Sequence, residues 1–266
     1  MRITALIENT AAEPKFCCEH GLSLFIESGN HKILFDAGAS ANFIKNAELL
    51  NIDIPSVDIA VLSHGHSDHS GGMCEFLRLN SKAKLYAGPG YWRPHFNAVG
   101  GPIGVDDALI DNPRIVEVAQ DRLEFDDGIT IVNYSKKEPL YAIDTVGMTE
   151  EVDGKKVIEN FTHEQYLIVA EGDKRVIFTG CGHRGMVNIM NWSKSENLSA
   201  AVGGFHFMGV KPDAFETRLA EAAHELLKFP VTYWTCHCTG KEQFKYMKSI
   251  MGDRLYYLAS GNVIEI

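Results

Sequence analysis

Positive charge is scarce in this chain: 25 Lys and Arg residues stand against 35 Asp and Glu, a formal net charge of −10. That balance excludes the extended basic surface needed to hold a nucleic-acid backbone. Long apolar runs are missing too, and no stretch approaches the roughly 18 consecutive apolar residues of a membrane span. The opening segment, Met1-Arg2-Ile3-Thr4-Ala5-Leu6-Ile7-Glu8, reads as a strand. It lacks the apolar centre and small-residue cleavage site of an export signal, so a cytoplasmic location is expected. Cysteines number only six, and without an export signal they are expected to be thiols or ligands, not disulfides. Cys17, Cys18 and Cys74 read as small buried residues.

What is present is enough apolar material for a substantial core, 45% of 266 residues. Short β-branched runs bounded by Gly, Asp and Asn predict strands at 3–7, 22–26, 32–35, 59–62, 83–87, 114–118 and 129–133. The same pattern returns at 166–170, 174–178, 200–202, 231–235, 255–258 and 263–266. Helical spacing predicts helices over 40–50, with Ser40 as N-cap, over 212–227, opened by Pro212 and Asp213, and over 241–251. A further helix is expected over 186–192. Interleaved elements with strands in the majority predict an α/β fold: one four-layer αββα domain over 1–266, mixed sheets face to face and helices outside.

Residues 88–109 break the pattern with Gly-Pro-Gly, Trp92-Arg93-Pro94 and Gly100-Gly101-Pro102. An irregular stretch of that length is either a lid that contacts substrate, through Tyr91, Trp92, Arg93 and His95, or an ordered surface excursion.

The densest chemistry follows the apolar run Ile59-Ala60-Val61-Leu62. Four ligand-type side chains, His64, His66, Asp68 and His69, fall within six residues, separated only by Gly65 and Ser67. Imidazoles and a carboxylate at the end of a core strand suit zinc, iron or manganese. His64 and His66 can face one ion, with Asp68 and His69 placed for a second. Further on, Gly203-Gly204-Phe205-His206-Phe207 suggests a pocket wall, in which His206 either transfers protons or is a satisfied core histidine.

Ser63-His64-Gly65-His66-Ser67-Asp68-His69 resembles the His-x-His-x-Asp-His signature of the metallo-β-lactamase superfamily. Ile33-Leu34-Phe35-Asp36-Ala37-Gly38 is similar to its strand ending in Asp-x-Gly, and the resemblance makes Asp36 a residue that orients a ligand by hydrogen bonding. It implies one or two divalent transition metals, zinc first, with iron, manganese or magnesium as alternatives. The pattern departs where a bridging aspartate is expected, because Thr179-Gly180 is followed by Cys181-Gly182-His183. The resemblance therefore puts a Cys181 thiolate at the second metal, together with His237 from Thr235-Cys236-His237-Cys238-Thr239-Gly240. Cys236 and Cys238, alternating with His237 in an extended segment, are expected to point away. His163 and His183 compete as the third histidine. His20, His31 and His224 read as structural, and the catalytic set expected is Asp68, His183 and His206.

Glu19-His20-Gly21, Glu164-Gln165, Gly180-Cys181-Gly182-His183 and His237-Cys238-Thr239-Gly240 together resemble a narrower branch. This is the branch of hydrolase-like proteins that includes the archaeal dihydropterin-ribofuranosylaminobenzene phosphate synthase of methanopterin biosynthesis. The resemblance implies a metal-dependent hydrolase acting on a small, anionic substrate. Two alternatives stay open: a transferase joining a dihydropterin methyl diphosphate to a ribofuranosylaminobenzene phosphate, and a di-iron oxidoreductase. No nucleic-acid or membrane partner is expected, and a homo-oligomer is compatible with the sequence.

Overall fold

The computed structural model describes residues 1–266 with the exception of Asp127. In chain order the first strands are β1 (Arg2–Ile7), β2 (Ser23–Ser28), β3 (His31–Phe35), β4 (Ile59–Leu62), β5 (Lys84–Ala87), β6 (His95–Phe96) and β7 (Ile115–Glu117). They are followed by β8 (Arg122–Glu124), β9 (Ile129–Val132), β10 (Thr149–Val152), β11 (Lys155–Ile158), β12 (Tyr166–Glu171) and β13 (Lys174–Thr179). The last four are β14 (Ala200–Gly203), β15 (Thr232–Thr235), β16 (Leu255–Tyr257) and β17 (Val263–Glu265). They form two seven-stranded sheets, ordered β17-β1-β2-β3-β4-β5-β7 and β16-β15-β14-β13-β12-β9-β8, and a small sheet β11-β10-β6.

Alternation within each strand builds the layers. In β12, Leu167 and Val169 face the other sheet and pack with Phe35, Val61 and Phe178, while Tyr166 and Ile168 face the helices. The outer face of the first sheet carries α1 (Asn42–Leu49) and α3 (Met73–Leu79), seated through Phe43, Ala47 and Phe76 on Leu6, Leu34 and Leu62. The second sheet carries α4 (Met186–Trp192), α5 (Ala220–Leu227) and α6 (Lys241–Met251), seated through Ile189, Leu226 and Met247. Between β4 and α3 lies one helical turn, α2 (Ser67–Ser70). The expected αββα architecture is present, with helices outside two mixed sheets.

Three local expectations change. The helix expected over 212–227 is composite: a 3-10 turn at Pro212–Ala214, a π-helical turn at Phe215–Leu219, and only then α5. α1 begins at Asn42, although Ser40 Oγ still accepts the Asn42 N–H at 3.2 Å. The hairpin β10–β11 was not foreseen. Its turn, Asp153-Gly154, has φ of 51° and 71°, as a tight hairpin turn with positive φ at both central residues requires.

What places the site is strand direction. β3, β4 and β5 run parallel in one sheet, and β13, β14 and β15 run parallel in the other. Loops leaving their carboxyl ends meet at one edge of the sandwich, where ligands gather in open α/β sheets. No helix among the described residues is long and apolar enough to cross a membrane.

Candidate metal centre

Asp36 leaves β3, His64 to His69 leave β4, Cys181 and His183 leave β13, His206 follows β14 and His237 follows β15. The first side chains to be fixed are those around Asp36, which is fully buried. Its Oδ1 accepts the Ser63 N–H at 2.7 Å, and its Oδ2 accepts Ser63 Oγ–H at 2.7 Å and His69 Nδ1–H at 2.6 Å. Because the Ser63 proton goes to Asp36, Ser63 Oγ is left to accept from His64 Nδ1, at 2.8 Å. One carboxylate thus commits the Nδ1 of two histidines and leaves both Nε2 atoms as lone pairs. His237 is committed the same way, Nδ1 lying 2.7 Å from Asn9 Oδ1.

His66 uses the opposite nitrogen. Its Nε2 lies 2.9 Å from Oε1 of the buried Glu159, so Nδ1 is the free one. The same Oε1 lies 2.6 Å from His163 Nε2 and 3.0 Å from His95 Nδ1. Burial alone would push the Glu159 carboxyl up, but hydrogen bonds from His163 and His66, with the His95 ring close beside them, outweigh it and hold it well below the ordinary carboxylate range.

The freed lone pairs converge in two places. His64 Nε2 and His183 Nε2 face each other at 3.2 Å, with His66 in ring contact with both, 4.6 and 4.9 Å between centroids. Beside them, His69 Nε2 lies 3.2 Å from both Cys181 Sγ and His237 Nε2. Asp68 Oδ2 is 3.3 Å from His237 Nε2 and 3.7 Å from His69 Nε2. Asp68, His69, Cys181 and His237 thus form one compact donor group, and His64, Cys181 and His183 another, so Cys181 is common to both. His69 Nε2 and His237 Nε2, both left as acceptors by the bonds at their Nδ1 atoms, repel unless a proton or cation lies between them. Burial first, then neighbouring imidazoles, hold His64 and His183 well below their ordinary range, and burial lowers His237 to about 4, while Asp68 and Asp36 raise His69 against its own burial. The donor set of imidazoles, one carboxylate and one sulfur therefore fits two divalent transition metals. Burial and Cys238 push the Cys181 thiol well above its ordinary range, so its use as a ligand needs a cation's charge to deprotonate it.

Backbone strain collects here. Asp36, Phe161, His206 and His237 have φ of 58°, 55°, 56° and 51°, conformations that cost on the order of 1–3 kcal/mol each. Gly65 is required by crowding, since a Cβ there would lie 2.3 Å from the Tyr91 carbonyl oxygen.

The pattern of the metallo-beta-lactamase superfamily matches residues 18–218. The chain belongs to the metallo-beta-lactamase superfamily. Within the superfamily, it is 29% identical over 256 residues to the uncharacterized protein MJ0448 of Methanocaldococcus jannaschii, covering 90% of each chain. It is also 29% identical over 297 residues to that organism's 7,8-dihydropterin-6-methyl-4-(beta-D-ribofuranosyl)-aminobenzene-5'-phosphate synthase, covering 100% of this chain and 96% of the synthase. The crystal structure of Tm1679, described as a metal-dependent hydrolase of the beta-lactamase superfamily, superposes with a TM-score of 0.83 at 26% identity, covering 100% and 99% of the two chains.

Several expected site residues lie elsewhere in this superfamily member. His163 is engaged away from the other donor groups: its Nδ1 accepts the Gly65 N–H at 2.9 Å and its Nε2 meets Glu159, with which it forms a buried cluster that includes His66 and His95, whereas His183 points at His64. Tyr91, Trp92 and Arg93 do not line the cavity over the centre. Tyr91 is buried with its hydroxyl on the carbonyls of Leu109 and Ile110, Trp92 bonds Glu117, and Arg93 pairs with buried Glu150 at 2.9 Å. His95 is buried in the Glu159 cluster. The 88–109 stretch reaches the cavity through Asn97 and Ile103 instead, tied down by Ser67 N–H to the Ile103 carbonyl at 2.7 Å.

Cys238 does not point away: residues His237–Thr239 form a 3-10 turn, not an extended strand, so Cys238 lines the cavity and its Sγ donates to the Cys181 carbonyl at 3.1 Å. Cys236 does turn into the intersheet core. His20, read as structural, sits at the mouth with Nε2 3.4 Å from Asp68 Oδ2 and its ring 4.9 Å from that of His237. Sequence reasoning also missed Glu159, and singled out Glu164 only within the Glu164-Gln165 pair, without a role. Glu164 is buried and accepts the backbone N–H groups of His183 and Arg184, which fixes the turn that aims His183. His206 lines the cavity with its ring 4.2 Å from His183, and burial lowers it to about 4.

Proposed function

We propose that this chain is a hydrolase that works with two divalent transition metals, zinc being the expected one. The first ion is assigned to His64, His66 and His183, and the second to Asp68, His69, Cys181 and His237. The observation that carries this reading is the convergence of imidazole lone pairs whose opposite nitrogens are already committed to Asp36, Ser63, Glu159 and Asn9. Bound there, the ions supply a nucleophile at neutral pH and neutralise charge developing on the substrate oxygen.

The protein's own groups do the rest. Asp36 and Glu159 hold the ligating rings in one tautomer and orientation. Asp68 is kept ionised, its burial outweighed by His69, His20 and His237. His206, neutral at working pH and open to the cavity, is placed to exchange a proton with the leaving group. The substrate is a small molecule with a hydrolysable bond, an ester, lactone, thioester or phosphoester, held in a cavity of about 500 Å³. The likeness to Tm1679 over the full chain supports this reading.

Full-length likeness to the pterin synthase favours a second reading, a transferase joining a dihydropterin methyl diphosphate to a ribofuranosylaminobenzene phosphate. Two measurements test both readings. Elemental analysis after reconstitution is expected to find up to two ions per chain, and none would sink either reading. A paired assay then sets phosphodiester, lactone and thioester substrates against a dihydropterin diphosphate with its aminobenzene acceptor. Turnover in the second arm alone would replace the hydrolase by the transferase.

A further inference from the structure

The cavity over the centre has two unlike sides. Its floor is the ligand cluster, and its outer wall is Ile103, Val146, Met148 and Met208, with Asn97 as a neutral polar group. Val146 and Met208 are 38% and 40% exposed, which is costly for large apolar side chains gathered at a mouth and is relieved when something apolar covers them. None of the described lining residues is Lys or Arg. Of the cations around the cavity, Arg93 is engaged by Glu150 at 2.9 Å, Arg218 by Asp144 at 2.6 Å, and Lys156 lies over the Phe96 ring at 3.5 Å.

The wall is also built against local preference. Val146 has φ of 43°, a left-handed conformation that a β-branched residue rarely takes. It is held by the Val146 N–H on Asp144 Oδ1 at 3.1 Å, the Met148 N–H on the Thr145 carbonyl at 2.9 Å, and the ion pair that pins Asp144 to Arg218. Strain of this kind persists where the surroundings over-determine it, and here it fixes one residue of the apolar rim.

We propose that the substrate carries its reactive bond on an uncharged, largely apolar body that lies over Val146, Met148 and Met208, and that this wall rejects substrates with a phosphate remote from the reacting bond. The inference rests on the hydrolase reading and narrows it. A remote phosphate would be desolvated against thioether and aliphatic surface with no Lys or Arg in the cavity lining to meet it, in a chain of net charge −10. An acyl chain or ring removes the same surface from water. The class that fits is a carboxylic ester, thioester or lactone. In its hydrolysis the water oxygen bonds to the acyl carbon, the carbon–oxygen or carbon–sulfur bond breaks, and the leaving group takes the proton that water gives up, with no redox partner. The small, anionic substrate implied by the family resemblance is narrowed accordingly: any negative charge belongs at the reacting end.

Binding tests this independently of turnover. Acetohydroxamate, hexanohydroxamate and 6-phosphonohexanohydroxamate share one metal-seeking head and differ only in what meets the wall. Calorimetric titration into the metal-loaded protein should show affinity rising roughly fourfold for each methylene buried, and the phosphonate falling at least roughly tenfold below hexanohydroxamate. Met148→Lys should reverse the order of those two. A flat response to chain length, a phosphonate that binds as tightly as its parent, or a series that does not bind at all overturns the proposal. A steep response in a protein that cleaves none of the ester, thioester and lactone panel leaves the wall's preference standing and removes only the hydrolase reading. Cleavage with a flat response does the reverse.

Discussion

Glu159→Gln separates ligand orientation from ligation. The carboxylate takes His66 Nε2 at 2.9 Å and His163 Nε2 at 2.6 Å on one oxygen, fully buried. Glutamine keeps the shape and one acceptor oxygen but loses the charge, and charge-assisted hydrogen bonds are about twice as strong as neutral ones. Weakening the bond that holds His66 with Nδ1 inward should lower affinity for the first ion by roughly 10–100-fold, or about 1.4–2.7 kcal/mol. The metal-free protein should lose less, because both imidazole N–H groups still find an acceptor. Glu159→Ala is the harsher control: it strands two buried donors at about 1–3 kcal/mol each, so it should lower the melting temperature of the metal-free form as well. Competition with a chromophoric chelator gives the affinities, and calorimetry gives the stabilities. A folded Glu159→Gln protein whose first-ion affinity stays within twofold of the parent would refute the argument, because Glu159 would then be packing and not positioning.

Cys181→Ser should weaken the second ion selectively and remove the thiolate-to-metal charge-transfer band of the cobalt-substituted protein; an unchanged spectrum would exclude sulfur ligation. Gly65→Ala should abolish ordered metal binding, since its methyl group must displace the Tyr91 backbone, 2.3 Å away, and with it the loop between His64 and His66; parental metal affinity in this variant would show that the loop has slack.

The sheets and the His64–His69 cluster were legible because each leaves a local signal: β-branched runs for the first, ligand density at a strand end for the second. Glu159 left none. It follows the exposed, charged strand β11 and is buried only because the β10–β11 hairpin folds over the site, a contact no local pattern encodes. The hairpin did carry a signal, Asp153-Gly154, but flanking strands so polar conceal it. His20 and Cys238 were misread for a different reason. Both depend on backbone geometry beyond period-two alternation: the positive φ of His237 and the 3-10 turn that follows, which bring Cys238 round to Cys181 and His237 under His20. Among the loop aromatics, residue type suggested contact, while the hydroxyl of Tyr91 is spent on carbonyls within its own loop.

Each proposed ion would draw ligands from both sheets: His64 and His66 with His183, and Asp68 and His69 with Cys181 and His237. Bound as proposed, the ions would make the centre a clasp across the seam of the sandwich. Sliding one sheet against the other must open both ion sites together, so metal occupancy and the interlocking of the two halves are a single cooperative event. With the two ions bound as proposed, removing them would leave the halves of the sandwich holding each other less firmly.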